Sequence, residues 1–327
     1  MDVSWCFKYL TDALRLHQKL NGYIYTEPYD IEYERNGFRT YDRRNKIFGY
    51  DEIAYGGDMS MADLNQPDYI GVDINPNPKL APGAEYSAKI AALNWSGRDS
   101  NKVVVKWRFD ATDIYGNNFS TGISGSKPIS YRPYTREDIT INFKLPVKKC
   151  VGTLTVWLED GGTKIAKNFV NVVVTDDKET PALEFLGDNS MAIRGVVSGT
   201  TAAKGTGTVT YNYPISQAFD INSLNNMRVI AEVSSVKGST ENHGVVNSDK
   251  SQTVEGGERP SDVTILVNGV EIETVYIPDD PRDIRGTIGL LSAYNGTSAK
   301  DYGYLININV PSEKIAAVKK AIAASQG

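Results

Sequence analysis

The chain has 327 residues and a formal net charge of −5, a balance that argues against the concentrated basic surface of a nucleic-acid binder. Hydrophobic residues make up 40% of the sequence, which is enough to build packed cores. No apolar run approaches the roughly 18 residues that suggest a membrane-spanning helix. The first residues show no basic segment followed by an apolar one, so we expect no signal peptide. Composition therefore predicts a folded protein whose partners include neither nucleic acid nor a membrane.

Cysteine and histidine are too few for several kinds of site. The two cysteines, Cys6 and Cys150, lie far apart and form no C-x-x-C motif, so a zinc site built on thiolates is excluded. Of the two histidines, His17 falls in a predicted helix, where a surface or core role is a simpler interpretation than a catalytic one. We expect no metal and no cofactor. The cysteines leave the redox compartment undecided.

The N-terminal segment is predicted to contain one helix and one strand. Asn21-Gly22 supplies a helix stop, because glycine accepts the left-handed conformation that ends helices. Residues 23–26 follow as a short run of β-favouring side chains. A helix, a tight turn and a strand make one step of a parallel α/β fold. The helix is predicted over residues 3–19 from apolar spacings of three and four at Val3, Phe7, Leu10, Leu14 and His17.

A second unit is predicted after a proline-rich linker that ends near Pro82. Between residues 84 and 175 the apolar side chains alternate with a period of two, and turn signals separate the runs. About seven short strands over roughly 100 residues are typical of an immunoglobulin-like sandwich. We assign this unit to residues 70–176 and expect Trp107 and Trp157 to fill its core.

Beyond a charged linker, residues 181–327 keep the β pattern with longer loops. Asn268-Gly269 between two alternating runs is a strong hairpin signal. We predict a second β-sandwich or a jelly roll, closed by a helix over residues 312–325. The strands are expected at residues 227–236, 263–267, 270–277 and 304–310.

This third unit offers two weaker candidates for binding. Its exposed-aromatic candidates for sugar binding are Tyr211, Tyr213, Tyr294 and Tyr302. Oxygen-rich loops in β-sandwiches sometimes hold Ca²⁺, and Asp279, Asp280 and Asp283 form such a group. Local ion pairing with the interleaved Arg282 and Arg285 is the simpler interpretation.

The densest cluster of tyrosines and carboxylates lies in residues 22–34. Tyrosine faces stack on the C–H surfaces of pyranoses and carboxylates accept hydrogen bonds from hydroxyls, so the cluster suits a sugar site. Asp30, Glu32 and Glu34 would lie on one side of an extended segment, about 7 Å apart, and glycoside hydrolysis uses paired carboxylates. The simpler interpretation is that these groups are solvated or paired with Arg35, Arg39, Arg43 and Arg44.

Three runs in this region resemble the last barrel strand and following loop of glycoside hydrolase family 2: GYIYTE at 22–27, DIEYERNGF at 30–38 and YDRRNK at 41–46. The resemblance spans residues 3–50, and the order of barrel before sandwich is also that of the family. It implies a mainly β chain with an N-terminal αβ remnant of a (β/α)8 barrel in residues 1–60. An immunoglobulin-like β-sandwich and a second β-sandwich or jelly-roll domain follow it.

The resemblance also implies which functional residues are present. Both catalytic glutamates of the family lie on earlier barrel strands, so we expect no catalytic residue here and no activity of the isolated chain. Tyr25 occupies the place of an aromatic platform under the sugar, where several family members have tryptophan. Glu27 lies on the same strand, and these two residues are expected to bind substrate.

The leading hypothesis is therefore a C-terminal section of a retaining exo-glycosidase, with carbohydrate and the missing barrel portion of a secreted or periplasmic parent as partners. Within it the chain would have an accessory, scaffolding or sugar-binding role. The alternative is a standalone non-catalytic carbohydrate-binding or interaction protein built on two β-sandwiches. A self-sufficient hydrolase that uses Glu27 with Asp30 or Glu32 is disfavoured, because one strand cannot close a barrel.

Overall fold

Two β-sheets packed face to face form the central unit of the chain. The computed structural model describes residues 4–31, 37–39, 41–43, 59–73, 78–176, 183–187, 190–193, 208, 210–213, 220–233, 261–277, 287–291 and 304–325. One sheet has the strand order β1-β3-β6 and the other β2-β8-β7-β4-β5, which confirms the β-sandwich predicted for this region. Its strands are β1 (Asp68–Asp73), β2 (Lys79–Leu80), β3 (Glu85–Asn94), β4 (Val103–Asp113), β5 (Asn118–Pro128), β6 (Arg136–Lys144), β7 (Cys150–Asp160) and β8 (Thr163–Val174).

The main core lies between these sheets. Strand β3 alternates as predicted, with Tyr86, Ala88 and Ile90 buried against the other sheet. Strand β8 departs from alternation, because residues 168–174 are buried on both faces. An N-terminal helix covers Phe169, and Leu291 packs on Val173 from the C-terminal region.

Strand β5 was not predicted, because its sequence is rich in glycine and serine rather than in β-favouring residues. It pairs with β4 along the edge of the larger sheet. Gly125 is required there, since a Cβ at this position would lie 2.2 Å from the Trp107 ring. Trp107 packs on the core from a half-buried position. The core prediction is wrong for Trp157, which lies half-buried under the Lys164 ammonium, 5.7 Å from the ring centroid.

The N-terminal segment contains α1 (Ser4–Leu16) and α2 (Met61–Asn65). The predicted strand at residues 23–26 is wrong, because the segment lies in no strand and Ile24 is 96% exposed. A short run of β-favouring residues forms a strand only beside a hydrogen-bonding partner, and the described residues place none there. An isolated parallel bridge in this region joins Tyr29 and Arg39. The predicted αβ remnant of a barrel is therefore not seen in this part of the structure.

The C-terminal region contains three two-stranded sheets among its described residues, β9-β10, β11-β14 and β12-β13. Asn268 and Gly269 have φ values of 46° and 81° and turn β12 into β13, which confirms the predicted hairpin. The described part does not test the predicted second sandwich or jelly roll, which stays a prediction. The elements are β9 (Leu183–Gly187), β10 (Ser190–Ile193), a 3-10 turn (Ile221–Ser223), β11 (Arg228–Val233), β12 (Ser261–Val267), β13 (Val270–Ile277), α3 (Ile288–Leu291), β14 (Tyr304–Asn309) and α4 (Ser312–Ser325).

Helix α4 covers the core of this region with its buried side chains Ile315, Val318 and Ile322. The turn after β4 joins the region to the sandwich, since Asn307 Nδ2 donates to the Gly116 carbonyl over 2.9 Å. Arg228 donates to Asn117 Oδ1 over 2.6 Å at the same turn. No described helix is long and apolar enough to cross a membrane.

Gly152 on β7 offers a test of how tightly the sandwich core is packed. A Cβ at this position would lie 2.0 Å from the ring of the fully buried Phe109, so Gly152→Ala should lower the free energy of unfolding by roughly 1–3 kcal/mol. Gly22→Ala is the control, because no atom lies within 4 Å of its Cβ position. Urea unfolding followed by tryptophan fluorescence measures both. Equal midpoints for the two variants would contradict the packing described here.

Candidate functional site

Helix α1 packs on the sandwich with a mixed face, in which Phe7 of the predicted apolar face lies beside polar side chains. Leu10, on the predicted apolar face, is 66% exposed. Helix α2 and β8 supply part of the opposing surface through Leu64 and Phe169. The packed face therefore depends on polar contacts as well as on apolar burial. Among the described side chains of α1, from Phe7 onward, the buried ones are Phe7, Lys8, Thr11 and Asp12.

The Asp12 carboxylate is the centre of this contact. Lys8 Nζ donates to Asp12 Oδ2 over 2.6 Å, and Asn168 Nδ2 donates to Oδ1 over 2.9 Å. Tyr69 Oη donates to the same Oδ1. Asn168 Nδ2 also donates to the carbonyl of Ile70 over 3.0 Å. Every partner comes from a different element, so the carboxylate joins α1, β1 and β8 at one point.

Aromatic rings surround the cations of α1. The Lys8 ammonium lies 4.7 Å from the ring centroid of Phe169, and the Arg15 guanidinium lies 4.0 Å from that of Tyr69. Arg15 also donates to the carbonyls of Leu64 and Gln66 over 2.7 and 2.8 Å. Burial lowers the pKa of Arg15 from its ordinary value, and nearby tyrosines and Asp12 oppose the shift. These contacts fix the orientation of the helix.

The segment after α1 lies against the same helix through aromatic packing. Tyr25 stacks on Phe38 with ring centroids 4.3 Å apart and an interplanar angle of 14°. Phe7 of α1 meets the Tyr25 ring edge-on at 5.2 Å. Burial raises the pKa of Tyr25, and the negative charge of the Asp30 carboxylate raises it further by a smaller amount. Because Phe38 covers one face of the Tyr25 ring, a sugar could stack only on the other face.

The two carboxylates of this segment that are described have different surroundings. Asp30 is buried and accepts a hydrogen bond from Gly37 N over 3.0 Å, so it shapes the loop. Glu27 is half-buried, and its Oε1 is shielded from solvent without a hydrogen-bond donor among the described residues. The Arg43 guanidinium lies 4.0 Å from the ring centroid of Tyr29, and its expected pairing with Glu32 or Glu34 stays a prediction. Glu32, Glu34, Arg35 and Arg44 lie outside the described residues.

The other candidates from the sequence are scattered. His17 is exposed just beyond α1, as a surface helix residue would be. Tyr211 and Tyr213 are each 46% exposed. Within the described ranges, no group of three metal-ligating side chains occurs. Several candidates lie outside those ranges: His243, Tyr294, Tyr302, Asp279, Asp280, Asp283, Arg282 and Arg285.

The polar contact around Asp12 was missed by sequence reasoning. Lys8 and Asp12 are four residues apart inside the predicted helix, which is the spacing of an ion pair on one helix face. Asn168 borders the apolar residues Phe169, Val170, Val172 and Val174 of a predicted strand, and such a polar residue needs a partner when buried. These two signals together could have indicated a polar docking face.

No family model matches the chain, and no curated protein matches it. Among solved structures, a CARDB domain from Pyrococcus furiosus is 11% identical with a TM-score of 0.22, over 33% of this chain and 93% of that chain. The sporulation control protein Spo0M from Bacillus subtilis is 12% identical with a TM-score of 0.26, over 33% and 49% of the respective chains. A glycosyl hydrolase family 2 member from Bacteroides cellulosilyticus is 10% identical with a TM-score of 0.27, over 39% and 17%. These likenesses are too weak to assign a family or a function.

Removal of the Asp12 carboxylate tests the docking of α1. Asp12→Leu leaves the Lys8 ammonium buried without its counter-charge, which should cost about 3–5 kcal/mol of stability. The double variant Lys8→Met with Asp12→Leu should recover most of the loss, because no charge stays buried. Leu10→Ala on the exposed face is the control, with an expected change within about 0.5 kcal/mol. Urea unfolding and hydrogen exchange of the α1 amides measure these effects. A double variant no more stable than Asp12→Leu alone would contradict the role of the pair.

Buried tyrosines predict a loss of stability in alkaline solution. Burial, with a smaller effect of Asp12, raises the pKa of Tyr69 well above its ordinary value of 10.0, and burial also raises the pKa of Tyr86 and Tyr131. Above about pH 10 the unfolded chain loses these protons and the folded chain keeps them, so the unfolded state binds fewer protons and stability falls. Each tyrosine contributes a slope of up to about 1.4 kcal/mol per pH unit. Urea unfolding across this pH range should show a shallower slope for Tyr69→Phe than for the unsubstituted chain; equal slopes would contradict the assignment.

Proposed function

We propose that the chain is the C-terminal section of a retaining exo-glycosidase, in which the sandwich is a non-catalytic unit that holds the end of the catalytic barrel. The position of α1 is the observation that carries this proposal. Its polar face is fixed to the sandwich through Asp12, and Leu10 on the outer side of the helix is left 66% exposed among the described residues. A helix held in this way can pack against a further structural unit on its free side.

The exposed side of this segment has the composition of an interface. Leu10, Leu20 and Ile24 are 66%, 45% and 96% exposed. Uncovered large apolar side chains on one stretch of chain mark surfaces that are buried by a partner. The family resemblance of residues 3–50 supports a (β/α)8 barrel as that partner, and it supplies the carbohydrate substrate class.

Tyr25 and Glu27 are the residues that we propose for contact with the sugar. The half-buried Tyr25 ring can stack on a pyranose, since Phe38 and Phe7 hold the ring in place. The shielded Oε1 of Glu27 can accept a hydrogen bond from a sugar hydroxyl. Both residues bind and orient in this proposal, and neither carries out the bond cleavage.

The purified chain should show no turnover of aryl β-galactosides, β-glucuronides or β-mannosides. A retaining hydrolase needs a general acid/base and a nucleophile, and the resemblance assigns both to strands that this chain does not contain. Chromophore release measures turnover. Activity that disappears in Glu27→Gln and persists in the control variant Asp30→Asn would overturn the proposal in favour of a self-sufficient hydrolase.

A longer protein tests the proposed interface directly. We expect the coding sequence upstream of Met1 to supply seven barrel strands and both glutamates, and its product to hydrolyse one of these substrates. In that product Leu10→Asp should reduce both stability and activity, because the side chain becomes buried. Leu266→Asp is the matched control, since Leu266 is 52% exposed on β12. An upstream sequence without barrel strands would defeat the proposal.

A further inference from the structure

An open cleft lies at the end of the sandwich where the β3–β4 loop, residues 95–102, meets the β5–β6 loop, residues 129–135. Its volume is about 510 Å³, and it is lined by residues 98–102 together with Arg132 and Asp160. This volume lies within the range of about 300–1,000 Å³ that small-molecule sites occupy. We propose that this cleft, with the two exposed aromatic rings on the same loops, is a carbohydrate-binding site. The inference goes beyond the function proposed above, because a standalone binding protein would use the same cleft.

Buried polar contacts hold the two loops together. The Nδ2 of the fully buried Asn94 donates to the carbonyl of Arg98 over 2.6 Å and to that of Arg132 over 2.8 Å. Ser100 N donates to the carbonyl of Tyr131 over 3.0 Å. One side chain thus fixes the spacing of the loops from below. Because the loops are already ordered, binding of a ligand here costs little conformational entropy.

The charges of the cleft are mostly paired. Arg98 pairs with Asp160 over 3.1 Å and with Asp68 over 3.2 Å, and Arg132 pairs with Asp99. The Asn101 amide and the Lys102 ammonium make no hydrogen bond or ion pair within the described residues. The cleft therefore offers hydrogen-bonding groups rather than the concentrated positive charge that a phosphate would need. Its lining side chains are all polar, so a purely apolar ligand would gain little there.

Two aromatic rings stand exposed on these loops. Trp95 is 55% exposed and Tyr134 is 70% exposed. Tyr134 has a φ of 58°, a left-handed conformation that is unfavourable for a bulky side chain. Its hydroxyl lies 3.6 Å from the Cβ position of Gly97, across the loop that leads into the cleft. Burial of the ring does not offset the strain, and strained exposed residues of this kind concentrate at ligand sites.

A carbohydrate is chemically complementary to both the polar cleft and the two exposed aromatic rings. Its hydroxyls are donors and acceptors for the polar cleft, and the C–H face of a pyranose packs on an aromatic ring. Trp95 and Tyr134 supply the rings, while Asn101 and Lys102 supply polar groups that have no partner within the described part of the chain. Extended peptides are recognised through pockets for alternate side chains, and the residues that line the cleft supply no apolar pocket.

Affinity electrophoresis of the full chain in gels that contain galactomannan or glucuronoxylan tests the site. We expect retardation by at least one of these polysaccharides. Trp95→Ala and Tyr134→Ala should each weaken the apparent affinity about tenfold, and Lys102→Ala should weaken it less. Tyr276→Ala is the matched control, because Tyr276 is 63% exposed on β13. All four side chains are exposed, and the urea midpoint of each variant checks that the fold is retained.

The absence of retardation by both polysaccharides overturns the inference. Retardation that survives Trp95→Ala and Tyr134→Ala but is lost in Tyr25→Ala or Tyr211→Ala also overturns it, because the sugar would then bind elsewhere. Competition by an unstructured peptide that equals the effect of soluble oligosaccharide would indicate a peptide site instead. These results are independent of glycosidase turnover and of the upstream coding sequence, so the failure of the proposed function and the failure of this site can be told apart.

Discussion

The ion pair between Asp12 and Lys8 is the constraint on which the placement of the N-terminal segment depends. Both side chains are buried. Desolvation of each charge costs several kcal/mol, and the ion pair offsets this cost only if the other hydrogen-bonding atoms of the two groups also find partners. Tyr69 and Asn168 supply those partners from two strands of the sandwich. The helix can therefore dock in one orientation only, since a small rotation would leave a buried charge uncompensated. Apolar packing alone would have tolerated several orientations.

Strand β1 connects this docking face to the loop end of the sandwich. Neighbouring residues of a strand point to opposite faces, so Tyr69 faces α1 and Asp68 faces the interior side. Tyr131 Oη donates to Asp68 over 3.0 Å, and Arg98 joins Asp68 to Asp160. Two adjacent side chains of one strand thus support both candidate sites. The helix and the loops are held by the same rigid sheet rather than by each other.

The two candidate sites, the segment with Tyr25 and Glu27 and the cleft at the loop end of the sandwich, differ in how firmly the surrounding structure fixes their geometry. The segment with Tyr25 and Glu27 has no strand partner in the described residues and depends on Phe7 and Phe38 for its position. The loop end is fixed from within by Asn94, whose contacts are complete. A binding role of the first segment therefore needs a further structural unit beside it. The loop end needs none, because its geometry is already set by the sandwich.

Local patterns by themselves determined most of the sandwich strands, the Asn268-Gly269 hairpin and the helix at residues 312–325, which the structure shows as Ser312–Ser325. Side-chain period and turn chemistry act over a few residues, so sequence contains them in full. Only the tertiary structure decided which face of α1 is buried, since Asp12 and Asn168 are 156 positions apart. The tertiary structure also decided that residues 23–26 form no strand and that β5 does form one. A strand exists only where a neighbouring strand pairs with it through hydrogen bonds.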